Sequence, residues 1–391
     1  MISFENTKIA FHSKSSKDLK RAYWLFKIIA NPKIVLFGKW LTNMAIKINL
    51  PIRKIIKRTI FKQFCGGESI FESLKLSKQL SKYNLKTILD YSIEGKLKEE
   101  DFNHTVNEII ATINEGKSNK DIPFAVFKIS GICSFSTLKK MNNGTHNIDS
   151  EINKEYKKLN ARIDLICKAA YNANVPVFID AEESWIQNSI DNLVKEMSIK
   201  YNKNRAIIFN TVQLYRHDKL SFVKNEIEHA RKNKYFLGLK LVRGAYMEKE
   251  RQRAEKKGYP SPIQPNKKVC DEHFDKAMEI ILKNIDVTAV CVGTHNEKSS
   301  IKLTELMSAY KIKKNDPRIY FAQLLGMSDH ISYNLSHNGY NVAKYIPYGP
   351  VKEVLPYLLR RADENTSVAG QTTRELSLIR KEIKRRKKQS K

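Results

Sequence analysis

Eight short apolar runs alternate with longer helix-like segments after residue 80, and this alternation constrains the fold more than any other feature. The runs are rich in β-branched residues, as buried parallel strands are. Strands are predicted at Thr87–Tyr91, Phe124–Ile129, Val175–Asp180, Ala206–Gln213, Phe236–Arg243, Ala289–His295, Arg318–Gln323 and Val342–Ile346. Helix-like segments such as 151–173 and 185–201 lie between most of them. The pattern predicts an α/β fold of the (β/α)8 barrel type, with a doubly wound open sheet as the less favoured alternative.

Most of these strands close on a polar or charged side chain, although a buried parallel strand should be nearly all apolar. The residues concerned are Lys128, Asp180, Gln213, Arg243, His295, Gln323 and Tyr345. In a barrel, the carboxyl ends of the strands meet at one rim, where barrel enzymes build their active sites. Any one of these residues alone could mark a strand that runs out into solvent. As a set, they predict a single polar pocket.

Two adjacent arginines directly follow the eighth predicted strand. Tyr357, Arg360, Arg361 and Glu364 are spaced to share one face of a helix. Two neighbouring guanidiniums can bind one carboxylate with paired hydrogen bonds, and Glu364 can orient them. The spacing therefore indicates a clamp for a small acid, although an exposed helix with a single Arg–Glu pair fits it as well.

Cations interrupt the fifth predicted strand at Lys240 and Arg243, and Gly244 follows. A buried cation must meet an anion, and we expect either a carboxylate such as Asp180 or a ligand phosphate. Glycine permits close approach of a ligand to the backbone. After the sixth strand, Thr294 and His295 form a polar cluster suited to hydrogen-bonding a ligand, although a lone histidine is more often structural.

Several kinds of chemistry lack their sequence signature. We find no glycine-rich dinucleotide or P-loop motif, no G-x-S-x-G elbow and no H-E-x-x-H or paired-carboxylate metal motif. The five cysteines are widely spaced and form no C-x-x-C pair. The sequence therefore disfavours Rossmann-type nucleotide binding, serine hydrolysis, a disulfide framework and a metal site.

Positive charge is concentrated at the two ends of the chain. Residues 1–64 hold 14 Lys and Arg against 2 Asp and Glu, and residues 374–391 hold 9 against 2, within a net charge of +29. From Tyr23 to Phe64 the cations alternate with aromatic and aliphatic residues, which suits an amphipathic interfacial helix. A helical arm packed on the protein's own core fits equally well. Nucleic acid is disfavoured because no recognition motif accompanies the charge.

Ordered motifs from about residue 85 to residue 368 resemble those of proline dehydrogenases. The segments that carry the resemblance are Phe127-Lys128, Ile179-Asp180-Ala181-Glu182, Gln213-Leu-Tyr-Arg216, Lys240-Leu-Val-Arg-Gly-Ala-Tyr246, Thr294-His295-Asn296, Gln323-Leu-Leu-Gly-Met327, Tyr345-Ile-Pro-Tyr-Gly349 and Tyr357-Leu-Leu-Arg-Arg361 with Glu364-Asn365. The form with Lys240 and Arg243 resembles the mitochondrial type, whereas many bacterial relatives exchange the two residue types.

The resemblance implies a distorted (β/α)8 TIM-like barrel that binds FAD non-covalently. It implies that the proline carboxylate is bound by Lys128, Arg360 and Arg361, that Glu364 supports the arginines, and that Tyr345, Tyr357 and Leu324 surround the ring. It implies that FAD is contacted by Ala181, Gln213, Lys240, Arg243, Gly244, Ala245, Thr294 and His295. Asp180 and Lys240 are the catalytic residues that it implies, and Asp180 belongs to a charged network beneath the substrate.

The function implied is the oxidation of L-proline to Δ1-pyrroline-5-carboxylate, with electrons passed to a membrane quinone. A separate pyrroline-5-carboxylate dehydrogenase would take the product, because 391 residues leave no room for a fused aldehyde dehydrogenase. We expect a basic helical arm (1–80), the FAD-binding barrel (81–370) and a basic tail (371–391). We also expect a cytoplasmic protein associated peripherally with the inner face of a membrane through anionic lipid.

The alternatives are another amine-oxidising flavin barrel, such as hydroxyproline dehydrogenase, and a non-catalytic barrel that binds carboxylates or polyanions. Tyr345 favours proline over hydroxyproline, because a large side chain should crowd a ring hydroxyl.

Overall fold

Eight parallel strands form a closed barrel in the order β1 to β8 in the computed structural model, which describes residues 2–48, 52–92, 98–142, 150–367 and 371–389. The strands are β1 (Leu85–Tyr91), β2 (Phe124–Lys128), β3 (Val177–Asp180), β4 (Ile208–Gln213), β5 (Leu237–Val242), β6 (Thr288–Gly293), β7 (Ile319–Leu324) and β8 (Val342–Tyr348). Every predicted strand overlaps an observed one, and no boundary differs by more than two residues. The predicted (β/α)8 fold is confirmed.

Helices precede the first strand, separate most of the others and follow the last one. They are α1 (Thr7–Ala10), α2 (Ser16–Ile29), α3 (Pro32–Lys47), α4 (Arg53–Ile56), α5 (Lys62–Phe64), α6 (Ile70–Ser81), α7 (Glu99–Ser118), α8 (Phe135–Asn142), α9 (Ser150–Ala173), α10 (Ser184–Tyr201), α11 (Lys219–Lys232), α12 (Met247–Lys257), α13 (Lys267–Lys283), α14 (Glu297–Ala309), α15 (Asp329–His337), α16 (Val351–Ser367) and α17 (Gln371–Gln389). A π-helical turn (Lys57–Phe61) joins α4 to α5, and a 3-10 turn (Ile129–Gly131) follows β2.

The chain forms two compact units, Met1–Ile93 with Gln323–Lys391, and Glu94–Ala322. In the first unit, α2 begins at Ser15, whose hydroxyl accepts a hydrogen bond from the Asp18 N–H at 3.0 Å. The buried residues of α2 are Leu19, Ala22, Phe26 and Ile29, and they share an apolar core with residues of α5, α16 and α17. Segments from both ends of the sequence therefore build this core.

In the second unit, aromatic rings fill the barrel near the amino ends of its strands. Phe124 of β2 stacks on Phe178 of β3, with ring centroids 4.4 Å apart, and meets the edge of Tyr320 of β7 at 4.8 Å. Phe209 of β4 completes the group, 5.3 Å from Phe178. A side chain at Gly238 would place its Cβ 2.6 Å from the Phe209 ring, so this position of β5 has room only for glycine. The interior above these rings is where the polar residues lie.

Candidate active site

Lys240 and Asp180 form a buried ion pair inside the barrel. Lys240 of β5 donates through Nζ to Asp180 Oδ1 at the end of β3, and Thr211 Oγ1 of β4 donates to the same oxygen at 3.4 Å. The Lys240 Nζ also lies 5.3 Å from the centre of the Phe178 ring, directly above the aromatic layer. Lys128, the last residue of β2, is the register partner of Asp180. The structure thus brings three predicted residues together at the carboxyl ends of β2, β3 and β5.

Arg243, just beyond β5, is held by a different set of partners. Its Nε donates to Asp271 Oδ1 at 2.7 Å, and its two terminal nitrogens donate to Thr294 Oγ1 at 2.8 Å and to Ser299 Oγ at 2.9 Å. The guanidinium also stacks on the Phe274 ring, 4.3 Å from its centre. Burial raises the pKa of Asp271, but hydrogen bonds from Lys267 and the charge of Arg243 lower it overall. Arg243 is therefore a fixed cation that links β5 to α13, β6 and α14.

The loop after β3 is fixed by two carboxylates to which the sequence analysis assigns no role. Glu182 accepts hydrogen bonds from the Ser130 backbone N–H at 2.9 Å and from the Ser130 hydroxyl. Glu250 of α12 accepts from the Ser184 N–H and hydroxyl, both at 2.6 Å. Both glutamates are buried. They hold the backbone around Ala181 from the β2 side and from the α12 side, which gives this segment a defined position.

Burial raises the pKa of Glu182 to about 7, although the Ser130 hydrogen bonds and the charge of Lys128 oppose that shift. The sequence did contain a signal for this residue, because Glu182 lies within the segment Ile179-Asp180-Ala181-Glu182. It had no assigned role because spacing alone does not reveal Ser130, 52 residues earlier, as its partner.

Gln213 ends β4 with an unsatisfied buried oxygen. The residue is 2% exposed, and within the described part of the chain its Oε1 accepts no hydrogen bond. A buried acceptor without a donor is costly, so such an atom is expected where a ligand supplies the missing group. The flavin ring carries an N–H, so Gln213, together with the fixed cations of β5, is chemically suited to hold it.

Gly244 has a positive φ of +136°, and a Cβ there would lie 2.5 Å from the Tyr215 ring. Backbone conformation and packing therefore already require glycine at this position, and the residue type alone does not indicate a ligand. Next to it in the site, Thr294 receives the Arg243 hydrogen bond, and Thr294 Oγ1 accepts from the Asn296 N–H at 3.1 Å. His295 is half-buried.

The first unit carries the predicted arginine pair on α16. Tyr357 and Arg361 are buried, and the Arg361 guanidinium lies 4.9 Å from the centre of the Tyr357 ring, one helical turn earlier. Arg360 is half-buried on the same helix. The helix predicted for these residues is present, and it brings Arg361 over the Tyr357 ring. The side chain of Glu364 lies outside the described part of the structure, so its predicted role stays a prediction.

Glu68 positions the start of α16. Its Oε1 accepts from the Val351 N–H at 3.2 Å and from Arg53 at 2.7 Å, and its Oε2 accepts from Lys57 at 2.5 Å. Burial raises the pKa of Glu68, but the hydrogen bonds from Lys57 and Arg53 lower it to about 2. The helix that carries the arginines thus begins at a fixed carboxylate.

Tyr345 of β8 is buried, and its carbonyl accepts from the Leu325 N–H at 2.9 Å. This bond ties the segment after β7, which includes half-buried Leu324, to β8. Gln323 accepts from Ser332 Oγ at 2.8 Å. A backbone hydrogen bond therefore ties the segment that carries Leu324 to Tyr345 of β8.

The sequence of the chain is similar to known proteins over most of its length. The sequence model of the proline dehydrogenase family matches residues 73–374. "Proline dehydrogenase 1, mitochondrial" of Dictyostelium discoideum is 32% identical over 426 residues, which cover 97% of this chain and 74% of the relative. "Hydroxyproline dehydrogenase" of Xenopus laevis is 30% identical over 414 residues, which cover 96% of this chain and 88% of the relative.

Among solved structures, proline utilization A from Bdellovibrio bacteriovorus, inactivated by N-propargylglycine, is similar with a TM-score of 0.72 at 20% identity. The similarity covers 92% of this chain but 38% of that protein, so it shows the fold of one part of a longer chain. The family match and the identity across most of the Dictyostelium relative decide the family. The chain belongs to the proline dehydrogenase family.

Proposed function

We propose that the protein oxidises L-proline to Δ1-pyrroline-5-carboxylate with FAD as the cofactor. The observation that carries this proposal is the arginine pair of α16, in which Arg361 is buried and stacked on Tyr357. A guanidinium held over an aromatic ring has fewer orientations to lose, and its planar set of N–H groups suits a carboxylate. Family membership supports proline as the amino acid that presents this carboxylate.

In this proposal the residues of the second unit hold the cofactor. Gln213 Oε1 accepts a hydrogen bond from the flavin ring, and Lys240, Arg243, Thr294, His295 and the backbone of Ala181, Gly244 and Ala245 surround it. FAD, when bound, supplies the acceptor for two electrons and a proton. Asp180 pairs with Lys240 and holds it in place at the carboxyl ends of the strands. The protein's own contribution is therefore orientation and a fixed positive field.

The residues of the first unit bind the substrate. Arg360 and Arg361 bind the carboxylate, and Tyr345, Tyr357 and Leu324 contact the ring. The sequence resemblance also assigns Lys128 to this carboxylate. The side chain of Glu364 supports the arginines. A carboxylate fixed at one end of the molecule limits the orientations of the proline ring, and this limitation lowers the entropic cost of reaction.

The test is the flavin spectrum of the purified protein. We expect a bound flavin whose visible absorbance L-proline bleaches under anaerobic conditions. In Arg361→Gln, the loss of a charged hydrogen-bonding partner should lower kcat/KM by about 100-fold or more. Arg231→Gln is the matched control, because Arg231 forms an exposed pair with Asp286 and should leave turnover unchanged. A protein without flavin, or a flavin that proline does not bleach, would disprove the proposal.

Hydroxyproline is the second candidate substrate, because a hydroxyproline dehydrogenase is among the relatives. The buried ring of Tyr345 favours proline, since its bulk should crowd a ring hydroxyl. Comparison of kcat/KM for the two amino acids decides between them, and equal values would contradict the role of Tyr345.

A non-catalytic polyanion-binding barrel would bind heparin with or without the Arg360–Arg361 pair and would carry no flavin.

The electron acceptor in this proposal is a membrane quinone, and a separate pyrroline-5-carboxylate dehydrogenase consumes the product. The basic ends of the chain support contact with an anionic membrane surface, which would bring the protein close to the quinone. We place the enzyme on the inner face of a membrane as a peripheral protein. The rate at which L-proline drives reduction of a quinone analogue in vesicles, compared with reduction of a soluble dye, measures the preferred acceptor.

A further inference from the structure

The apolar stripe of α3 faces outward. Ile34, Leu36, Phe37, Trp40, Leu41 and Met44 are between 42% and 65% exposed. Phe37, Trp40, Leu41 and Met44 follow the spacing of one helical face, which normally packs against a core. Among the α3 side chains that the structure describes, Val35 alone is buried. We call the six exposed residues the α3 stripe.

The preceding helix shows the opposite arrangement. In α2 the regularly spaced apolar residues Leu19, Phe26 and Ile29 are buried, as expected for a helix on a core. The α3 stripe instead includes two aromatic rings, Phe37 and Trp40, that stack on each other with centroids 5.9 Å apart. Apolar surface of this extent on a protein marks an interaction site.

The segment that carries the stripe is strongly basic. Residues 19–67 contain 11 Lys and Arg and no Asp or Glu. Glu68, at the end of this segment, pairs with Arg53 and Lys57. Lys27 lies 4.8 Å from the centre of the Trp24 ring, and exposed Lys33 begins α3. The surface around the stripe is thus complementary to a negatively charged one.

The other basic end of the chain is occupied internally. Arg385 and Arg386 of α17 donate to buried Glu382 at 2.7 Å, and Arg386 also donates to the Phe11 and Lys14 carbonyl oxygens at 2.8 Å. Lys381 pairs with Glu5 at 3.3 Å. The charge of α17 therefore largely holds that helix in place, and the basic surface that combines with exposed apolar residues lies on the α3 segment.

We infer that α3 docks on an anionic lipid bilayer, with the α3 stripe inserted among the headgroups and the flanking lysines at the lipid phosphates. Among the described residues, no helix is apolar and long enough to cross a bilayer, and Lys33 and Lys39 interrupt α3 itself. The helix therefore lies along the surface. A second copy of the chain is a poor occupant, because a symmetric contact would bring two faces of like charge together.

This inference refines the membrane contact of the proposed function and rests on it, but it does not depend on the flavin chemistry. The three tryptophans of the chain make it directly measurable, since Trp24 and Trp40 lie on the basic segment and Trp185 lies in the second unit. Trp24→Phe/Trp185→Phe keeps Trp40 alone, and Trp24→Phe/Trp40→Phe keeps Trp185 alone. Both are measured in the full chain with bound flavin.

We expect vesicles of phosphatidylcholine and phosphatidylglycerol to shift the Trp40 emission to shorter wavelength, and brominated lipid to quench it. Trp185, half-buried and 4.3 Å from the Arg253 guanidinium, should show neither effect. Vesicles of phosphatidylcholine alone should have a much smaller effect on Trp40. Equal responses to the two vesicle types, or no response of Trp40, would overturn the inference.

Vesicle flotation tests the side chains themselves. Phe37→Ser/Trp40→Ser should weaken binding to anionic vesicles more than about tenfold, because two exposed rings no longer insert. Lys33→Gln/Lys54→Gln should also weaken binding to anionic vesicles by about tenfold or more, because two cations are lost from the basic segment. Leu165→Ser and Lys224→Gln/Lys232→Gln, which change exposed residues of α9 and α11, should bind like the unmodified protein.

Two further measurements separate the possible failures. Reduction of the flavin by L-proline with a soluble dye should be unchanged in Phe37→Ser/Trp40→Ser, so loss of flotation in that variant reports docking and not activity. Sedimentation velocity without lipid should give the same species for both proteins. If Phe37→Ser/Trp40→Ser converts a stable oligomer into a monomer, the stripe is a contact between copies, and the lipid inference is wrong.

Discussion

Lys240 and Arg243 are both cations at the end of β5, yet they have different anionic partners. The sequence left two possibilities for a buried cation here, Asp180 or a ligand phosphate, and Lys240 pairs with Asp180. Arg243 pairs with Asp271, which no sequence pattern marks. Asp271 is one charged residue among several on α13, and only the packing of that helix brings it to the strand end. Strand-end residues could thus be predicted, whereas their helical partners could not.

Removal of one partner of the Lys240–Asp180 pair should be strongly destabilising, because both side chains are largely removed from water. We expect Lys240→Met to lower the free energy of unfolding by about 3 kcal/mol, since Asp180 keeps a buried charge without its partner. The double variant Asp180→Asn/Lys240→Met should lose less free energy of unfolding than the two single variants lose together. Urea unfolding of the four proteins measures this difference. Lys200→Met, at an exposed pair with Asp164, should leave the free energy of unfolding nearly unchanged.

Glu182 should make stability depend on pH. Its pKa in the folded protein is raised to about 7 by burial, so the folded state keeps a proton that the unfolded state releases near pH 4.5. Its contribution is full below that pH and is lost as pH rises to about 7, a difference of up to about 3 kcal/mol. Compared with Glu182→Gln, the unmodified protein should lose stability between pH 5 and 7. If the urea midpoints of the two proteins change equally with pH, this assignment is wrong.

At the scale of elements, the strands could be predicted well and the arm only in part. Buried parallel strands leave a compact sequence signal, which is why all eight were located. The helices α2 and α3 have similar mixtures of basic and apolar residues, yet α2 buries its apolar face and α3 exposes it. The difference depends on α17, which packs against α2 from more than 300 residues away in the sequence. A local pattern holds no information about such a partner.

The start of α16 should depend on Glu68, which accepts hydrogen bonds from the Val351 N–H, Arg53 and Lys57. We expect Glu68→Gln to lower the free energy of unfolding by about 2 kcal/mol near neutral pH. Because the pKa of Glu68 is lowered to about 2, its contribution is full above about pH 4.5 and fades as pH falls toward 2. The difference in free energy of unfolding between Glu68→Gln and the unmodified protein should therefore disappear as pH falls from about 4.5 to 2.

The control for Glu68 is Glu279→Gln, at an exposed pair with Lys283, which should leave the free energy of unfolding nearly unchanged. A raised KM for L-proline in Glu68→Gln, with kcat little changed, would show that the carboxylate also positions the arginines of α16. An unchanged free energy of unfolding at neutral pH would contradict its role at the helix start.

At the scale of the whole molecule, the net charge of +29 is unevenly distributed, with the two ends carrying most of it. Mutual repulsion should oppose folding at low ionic strength. We therefore expect sodium chloride to raise the Tm of the protein between roughly 10 mM and 300 mM while it weakens binding to anionic vesicles. Differential scanning calorimetry and flotation in the same buffers measure the two trends. A Tm that falls with salt would show that ion pairs such as Arg374–Glu5 outweigh the repulsion.

The core shared by α2 and α17 has a consequence for synthesis. The ribosome releases α2 more than 300 residues before α17, so Leu19, Phe26 and Ile29 have no helical partner from α17 until that helix has emerged. The middle of the chain can form its own contacts in the meantime, whereas α2 must wait. The nascent protein therefore exposes the apolar face of α2 while the barrel is being synthesised.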